Sequence, residues 1–306
     1  MGNGGKVVIG WMIYNGYLGD KFLEHAKLFV ESAKRVGVEL VPVPSTDVLV
    51  VTNESDSYIW QATTYMQPDF LLYWDKDLYL ARELQRLNLP MFNTVDAIAQ
   101  CIDKATTHQI LSRASIKMPT TFLAPKIYTY PGVTNWATFE PVIEHIGFPM
   151  VIKENFGSFG AQVYLVHDRE SMKKQIEAIG DRPFLMQEFI AASSGVDARL
   201  QVVGDQVVAA MKRTSTTDFR ANMTQGATAK RYEPSQEEID LVVKAAKALG
   251  ADFAGVDLLF SKDLEPIVCE VNANAHIVNL LACTGINAAD AMMQHIVDVV
   301  RCTKGR

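Results

Sequence analysis

Residues 253–272 read Phe253-Ala-Gly-Val-Asp257-Leu-Leu-Phe260-Ser-Lys-Asp-Leu-Glu265-Pro-Ile-Val-Cys-Glu270-Val-Asn272. Two apolar runs of strand length flank a polar turn, which is the pattern of a hairpin. A symmetric turn at 262–265 sets Asp257 opposite Glu270, and side-chain alternation puts Asn272 on the same side as Glu270. Facing residues of this kind have Cβ atoms ~5 Å apart, and like charges there destabilise a sheet. Two carboxylates in otherwise apolar strands are costly unless a cation lies between them. Carboxylate and amide oxygens are hard ligands, suited to Mg²⁺ or Mn²⁺ and not to Zn²⁺. The competing reading leaves both acids solvated, or one paired with a lysine.

Upstream, Ser235-Gln-Glu-Glu238 has the form of a capping box opening a helix over 235–249. Before it runs a polar stretch, 214–225, holding Arg220 and Asn222. A second hairpin is expected over 196–203 and 206–213, with Gly204-Asp205 as the turn. Asp197 and Arg199 share one face of its first strand. The turn sets Lys212 opposite Asp197, whereas a bulge would bring Arg213 there, and both registers stay open. Further back, a strand ending at Lys153 leads into Asn155-Phe-Gly157-Ser158-Phe-Gly-Ala161. Backbone N–H groups of such a loop can fold over phosphates while the lysine supplies a point charge. Helices are expected over 103–115, 136–146, 169–179 and 288–300, and strands over 163–166 and 184–189.

The first hundred residues alternate instead. Strands are expected at 7–13, 40–43, 48–51 and 69–73, with helices at 20–37 and 78–87. This predicts a parallel, doubly wound sheet. The loop 15–19 would lie at its carboxyl edge, where such sheets bind ligands, but it lacks GxGxxG and is no dinucleotide site. The fold class is therefore an N-terminal α/β portion followed by an α+β portion, with the boundary near 95–103.

Composition bounds the function. The chain has 306 residues, 48% hydrophobic and 21% charged, enough for two domains without staples. A formal net charge of −6 argues against nucleic-acid binding. No apolar run approaches the ~20 residues of a membrane span. The opening MGNGGKVVIGWMIY lacks the marks of a signal peptide. Cys101, Cys269, Cys283 and Cys302 have no CxxC spacing and read as reduced thiols of a cytoplasmic protein.

The ordered motifs resemble those of ATP-grasp ligases, and most closely the RimK-type branch, which adds glutamate to a ribosomal protein's C-terminus. They are the Asp103-Lys104 helix, Met150-Val-Ile-Lys153, Gly157-Ser-Phe-Gly160, Gln187-Glu-Phe-Ile190, Gly195-Val-Asp-Ala-Arg199, Val207 to Arg213, Asp218-Phe-Arg-Ala-Asn222, Gly255-Val-Asp257 and Glu270-Val-Asn272. The resemblance covers about residues 98–300. It implies a pre-ATP-grasp domain over 1–98 and an ATP-grasp domain over 99–306, with a lid at about 116–189. By resemblance, Lys104, Lys153, Gly157 and Ser158 would meet ATP. Gln187, Glu188 and Phe189 would hold the adenine, Asp197 the ribose side, and Arg220 and Asn222 the triphosphate. Asp257, Glu270 and Asn272 would hold two Mg²⁺ ions, or Mn²⁺. Arg213 and Arg199 would steady the transferred phosphoryl group. The implied chemistry joins a small-molecule or peptide carboxylate to an amine through an acyl phosphate, with an amino acid as one substrate. Related ligases are commonly dimers or tetramers, so a homo-oligomer stays open.

Two departures stand out: Ala273-Asn274-Ala275-His276 replaces a usual Ser-Pro-Gly, and Gln162 replaces a glycine late in the phosphate loop. Asn274 and His276 are therefore candidates for the acceptor site, and Asn15, at the carboxyl end of the first strand, is a candidate for a place where a substrate docks. His25, His108 and His295 read as surface residues. Of Tyr58, Trp60, Tyr65, Tyr73 and Trp74, most are expected in the core. A non-catalytic ATP-binding module and a phosphotransferase remain as alternatives to the ligase.

Overall fold

The computed structural model describes residues 7–61, 64–158, 160–223 and 226–304, without the side chains of residues 20, 21, 303 and 304. The start of the leader reading, Phe159 of the phosphate loop and Gln225 of the polar stretch lie outside the described residues.

The chain runs β1 (Val8–Tyr14), α1 (Asp20–Arg35), β2 (Val38–Pro44), β3 (Val48–Thr52), β4 (Ser57–Gln61), β5 (Phe70–Trp74), α2 (Leu78–Gln85) and β6 (Met91–Phe92). The first sheet is parallel with order β2-β1-β5-β6. All of β5 is buried, which is why Phe70-Leu-Leu-Tyr-Trp74 is continuously apolar rather than alternating. The stretch at 48–51 departs from expectation. It is β3, and it pairs antiparallel with β4 in a separate two-stranded ribbon. Only Asn53–Asp56 separates the two strands, with Asn53 N donating to Asp56 O at 3.0 Å, and so short a link closes a hairpin and not a parallel crossover. Tyr73 and Trp74 are core residues, as expected, whereas Tyr58 and Trp60 on the ribbon are exposed.

Next come α3 (Val95–Ile102), α4 (Lys104–Arg113), β7 (Thr121–Leu123), α5 (Glu140–Ile146), β8 (Met150–Glu154), β9 (Val163–Val166), α6 (Arg169–Ile179) and β10 (Phe184–Glu188). Their antiparallel sheet has the order β7-β10-β8-β9. It keeps a core of its own, including Phe139, Met172, Ile176 and Phe184. The chain ends with β11 (Val196–Val203), β12 (Gln206–Thr214), β13 (Thr228–Arg231), α7 (Gln236–Ala248), β14 (Phe253–Phe260), β15 (Pro266–Asn272), α8 (Val278–Thr284) and α9 (Ala288–Lys304). The third sheet, antiparallel, runs β13-β12-β11-β14-β15. The Ser235–Glu238 capping box forms at the start of α7 as read, a feature worth ~1 kcal/mol.

The first and third sheets share their apolar core. Asn93, 1% exposed, ties them: its amide donates to the carbonyls of Phe253 and Ala273, both at 2.9 Å, and accepts from the Phe253 N–H at 3.0 Å. A buried amide satisfied on both ends locks the relative placement of two elements far apart in sequence. Among the described residues, no helix is long and apolar enough to cross a membrane.

Candidate active site

A cleft of about 380 Å³ opens where the three sheets meet. That volume lies in the range of small-molecule sites. Every candidate site residue named from the sequence lines it.

Register puts the acids and arginines there. Asp257 on β14 opposes Glu270 on β15 as expected, but not through a symmetric turn. Near the turn Leu258 pairs with Val268, and a bulge at Cys269 then shifts the register by one before Asp257 meets Glu270. A bulge adds an unpaired residue to one strand, and here Cys269 and Glu270 both reach the cleft. The other hairpin settles its open register by the same device. Gly204 has φ +56, as its turn requires, and an irregularity beside Gln201 and Val202 places Arg213, not Lys212, opposite Asp197. Arg199 on β11 faces Asp257 from the other side.

The result is a continuous charge ladder. Arg213 donates to both oxygens of Asp197 at 2.6 Å. Its guanidinium also lies 3.0 Å from Asp257. Arg199 donates to the two oxygens of Asp257 at 2.7 and 2.6 Å. Such paired forks are the strongest form of this interaction. Burial pushes the Asp197 carboxyl up to about 6, against the pull of Arg213. Burial also opposes charge on Asp257, but Arg199 and Arg213 outweigh it and hold that carboxyl below the ordinary range. Glu270 is likewise kept low against burial, chiefly by Lys104, whose ammonium stands 3.7 Å away.

A second network sets the nucleotide end. Lys104 and Lys153 are both buried, at 8% and 7% exposure, with ammonium groups on Gly157 O (3.4 Å) and Cys269 Sγ (3.6 Å). His108, 3% exposed, is not a surface residue as expected, and neither is His25 at 1%. Both sit on the inward faces of helices, where the sequence offered no polar partner to reveal them. With Nδ1 on the Lys104 carbonyl at 2.7 Å, the Nε2 of His108 accepts from the Gln187 amide at 2.8 Å. Burial, then the nearby Lys153, lowers His108 to about 4, so the ring is neutral and the Gln187 side chain is fixed. Gln187 also donates to Thr121 Oγ1 at 2.8 Å. Glu188 accepts from Thr120 N, and Phe189 packs edge-on against Phe219.

The phosphate loop is braced from outside. Arg220 is paired with Asp218 and donates to the carbonyls of Gly160 (2.5 Å) and Val163 (3.2 Å). A Cβ on Gly160 would stand 3.1 Å from the Asn222 amide. Gly157 has φ +154, and a Cβ there would lie 2.3 Å from Gln162 Oε1. Gln162 thus folds back over the loop and fills the space above Gly157. Ser158 accepts from the Lys76 ammonium at 2.9 Å, a contact between the loop and the first sheet.

The scan of this chain against family models matches the RimK-like ATP-grasp domain over residues 101–296. The chain belongs to the RimK-like ATP-grasp family. A probable alpha-L-glutamate ligase of Xanthomonas euvesicatoria pv. vesicatoria is 36% identical over 228 residues, covering 73% of this chain and 74% of the relative. Among solved structures, the D-alanine–D-alanine ligase of Bacillus anthracis aligns with a TM-score of 0.72 at 17% identity, covering 98% and 99% of the two chains. The ATP-grasp ligase PsnB, solved with a precursor variant, Mg and ADP, aligns at 0.68 with 17% identity over 96% and 98%. At those identities the structural likeness speaks for the fold. As a member of this family the chain is a carbon–nitrogen ligase, an enzyme that joins a carboxylate to an amine at the expense of ATP.

The donor set of this ATP-grasp chain fits a divalent cation. Arg199 and Arg213 supply countercharge to Asp257, and Lys104 stands 3.7 Å from Glu270, the lysine pairing named above as the competing reading, yet the Glu270 side chain is still 34% exposed and lines the cleft beside Asn272. The Glu270 carboxylate and an Asn272 amide oxygen are hard ligands that suit an ion taking further ligands from phosphates, with Asp257 joining them if an arginine gives way. The remaining candidates, Asn15, Asn274 and His276, line the same cleft. His276 packs edge-on against His25 (4.7 Å between rings) and Phe22 (5.5 Å). Asn274 donates to the Asp75 carbonyl at 2.7 Å, and Asn15 to the Asp75 carboxylate at 3.3 Å. Asp75 and Lys76 were missed by the sequence reading. They follow the apolar strand β5, so the carboxyl-edge rule that picked out Asn15 after β1 would have found them too.

Proposed function

We propose that this ATP-grasp enzyme activates a carboxylate as an acyl phosphate and passes the acyl group to an amine, with an amino acid as one substrate. The supporting observation is the convergence of Asp257, Glu270 and Asn272 with Lys104, Lys153, Arg199 and Arg213 on one cleft. Asp257, Glu270 and Asn272 would hold Mg²⁺, or Mn²⁺, in one or two ions; bound there, the metal screens phosphate charge. Lys104, Lys153 and the backbone at Gly157 and Ser158 would bind the triphosphate, Arg220 and Asn222 would shape the loop over it, and β10 at Gln187, Glu188 and Phe189 would line the adenine. Arg199 and Arg213 would stabilise the charge spread over the transferred group. The carboxylate oxygen attacks the γ-phosphorus and ADP leaves. The amine nitrogen then attacks the acyl carbon, phosphate departs and the amine proton is lost. A loop closed over the cleft keeps water from the acyl phosphate.

The second sheet, with its own core, suits the lid at about 116–189 within a division at 1–98 and 99–306, and a cytoplasmic site follows from the need for ATP. The relative's name puts glutamate first among candidate substrates, while Ala273-Asn274-Ala275-His276 leaves room for another amino acid. ADP release with Mg·ATP over a panel of acids and amines, with mass spectrometry of products, tests the reading. The expected product mass is the sum of acid and amine less water. A phosphorylated product that needs no amine would favour a phosphotransferase instead.

A further inference from the structure

One cation in the cleft comes from the first sheet. Lys104, Lys153, Arg199, Arg213 and Arg220 all follow that sheet in the chain, on α4, β8, β11, β12 and the segment after β12. Lys76 stands two residues beyond β5, is exposed and lines the same cleft. Its sequence neighbours, Asp75 and Asp77, are the obvious partners for its charge, but both are engaged elsewhere. Asp77 caps α2 by accepting from the Tyr79 and Leu80 N–H groups, and Asp75 Oδ1 accepts from the Lys76 backbone N–H and the Asn15 amide.

The Lys76 side chain instead crosses to the phosphate loop, where its ammonium donates to Ser158 Oγ at 2.9 Å. Lys104 and Arg199 each have a carboxylate partner, Glu270 at 3.7 Å and Asp257 at 2.6 Å. Lys76 holds a neutral hydroxyl and forms no ion pair among the described residues. Loss of water around the ammonium draws its pKa below the ordinary lysine value, Glu270 opposes that shift, and Lys104 and Arg199 add to it by repulsion. Three cations therefore face one gap, and one of them lacks a countercharge. A lysine is a point charge that suits phosphate oxygens. The gap lies between the Gly157–Ser158 loop and Glu270, the two places assigned above to the triphosphate and to the metal.

We propose that Lys76 is a further catalytic residue, supplied by the first sheet, whose ammonium contacts the γ-phosphoryl group of ATP and stays with it during transfer. The inference rests on the ligase reading and deepens it. The bond from phosphorus to the ADP oxygen breaks as the bond to the carboxylate oxygen forms, and Lys76 keeps its proton throughout. The phosphoryl site is then complete only when the first sheet and the loop stand together.

The test compares the affinities of the intact protein for Mg·AMPPNP and Mg·ADP by calorimetry, in wild type, Lys76→Met and Lys76→Arg. Lys76→Met is expected to weaken AMPPNP binding about tenfold or more, as the loss of one charge-assisted bond implies, with ADP binding unchanged. Lys76→Arg is expected to recover most of the loss. An unchanged ADP affinity is the readout that a merely structural role would not give, because a disordered loop would weaken both nucleotides. Because Lys76 is exposed, the unfolding midpoint should stay at the wild-type value. The proposal is overturned if Lys76→Met alters neither affinity, or both equally. It is also overturned if only the KM for the acid rises, which would assign Lys76 to the substrate carboxylate. Turnover of acid and amine separates the two readings. Normal turnover in Lys76→Met with both affinities unchanged removes the phosphoryl contact and leaves the ligase. Loss of AMPPNP binding alone, with no acid–amine pair turned over by wild type, removes the ligase reading and leaves the contact.

Discussion

The ladder of Asp197, Arg213, Asp257 and Arg199 and the cluster of Asn15, Asp75 and Asn274 are two polar groups lining one cleft. The ladder is closed: each carboxylate meets a guanidinium fork. The cluster is open, with two oxygens lacking donors among the described residues. The ladder stands on β11, β12 and β14, and the cluster stands in the loops that follow β1, β5 and β15; both hold buried and half-buried groups, so the difference is not one of burial. It lies in whether the protein itself supplies the countercharge. A closed network stabilises and orients groups before any ligand arrives, whereas an open one leaves acceptors at a cost in lost hydration.

The sharpest test of the closed region is at its edge. Glu270→Gln is expected to lower turnover by ~10²–10³-fold, by analogy with the loss of one charge-stabilising group in other active sites. Thermal unfolding should change little, because the side chain is partly open to the cleft. Normal turnover at saturating Mg²⁺ would remove Glu270 from the metal role. Within the ladder, Arg213→Met strips both Asp197 and Asp257 of a partner. Removing one member of a buried ion pair costs ~3–5 kcal/mol, read as a lowered midpoint in denaturant. A midpoint close to wild type would mean that the ladder is no more closed than the Asp75 cluster.

His108 supplies a pH-dependent version of the same contrast. Its folded pKa of about 4 lies below the ordinary 6.5, so between those values the unfolded chain binds more protons. Stability contributed by the neutral ring is present above pH 6.5 and is lost as pH falls toward 4, up to ~3 kcal/mol. His108→Gln should flatten unfolding free energy across that window; an unchanged slope would assign it to other groups. The smallest effect is expected from Lys153→Ala, about tenfold weaker ATP binding by calorimetry, since one charge-assisted contact among several is lost. Unchanged affinity would leave Lys153 as a partner of Cys269 alone.

Much of this was legible because short-range rules apply where the signal is local. The capping box of α7, the turn at Gly204 and the helix α6 follow from neighbouring residues. The β3–β4 ribbon was misread because apolar strands look alike until their connections are counted. His25 and His108 were misread as surface because a single polar residue in a helix pattern does not show which neighbours it meets. The pairing of Asp257 with Glu270 was anticipated, yet the bulge at Cys269 that produces it was not.

By itself, then, the sequence determined which residue types stand at which strand and helix positions, and with them the family and the set of charged groups that line the cleft. Hydrophobic periodicity and turn chemistry act over a few residues, so they survive without coordinates. Only the tertiary structure decided that Arg213 and not Lys212 meets Asp197, and that Asp75 meets Asn15 and Asn274 with one oxygen left over. A one-residue shift exchanges the faces of a strand, and hydrogen-bond satisfaction depends on distant partners, Asn274 and Asp75 being 199 positions apart. Neither is a property of any local stretch of chain.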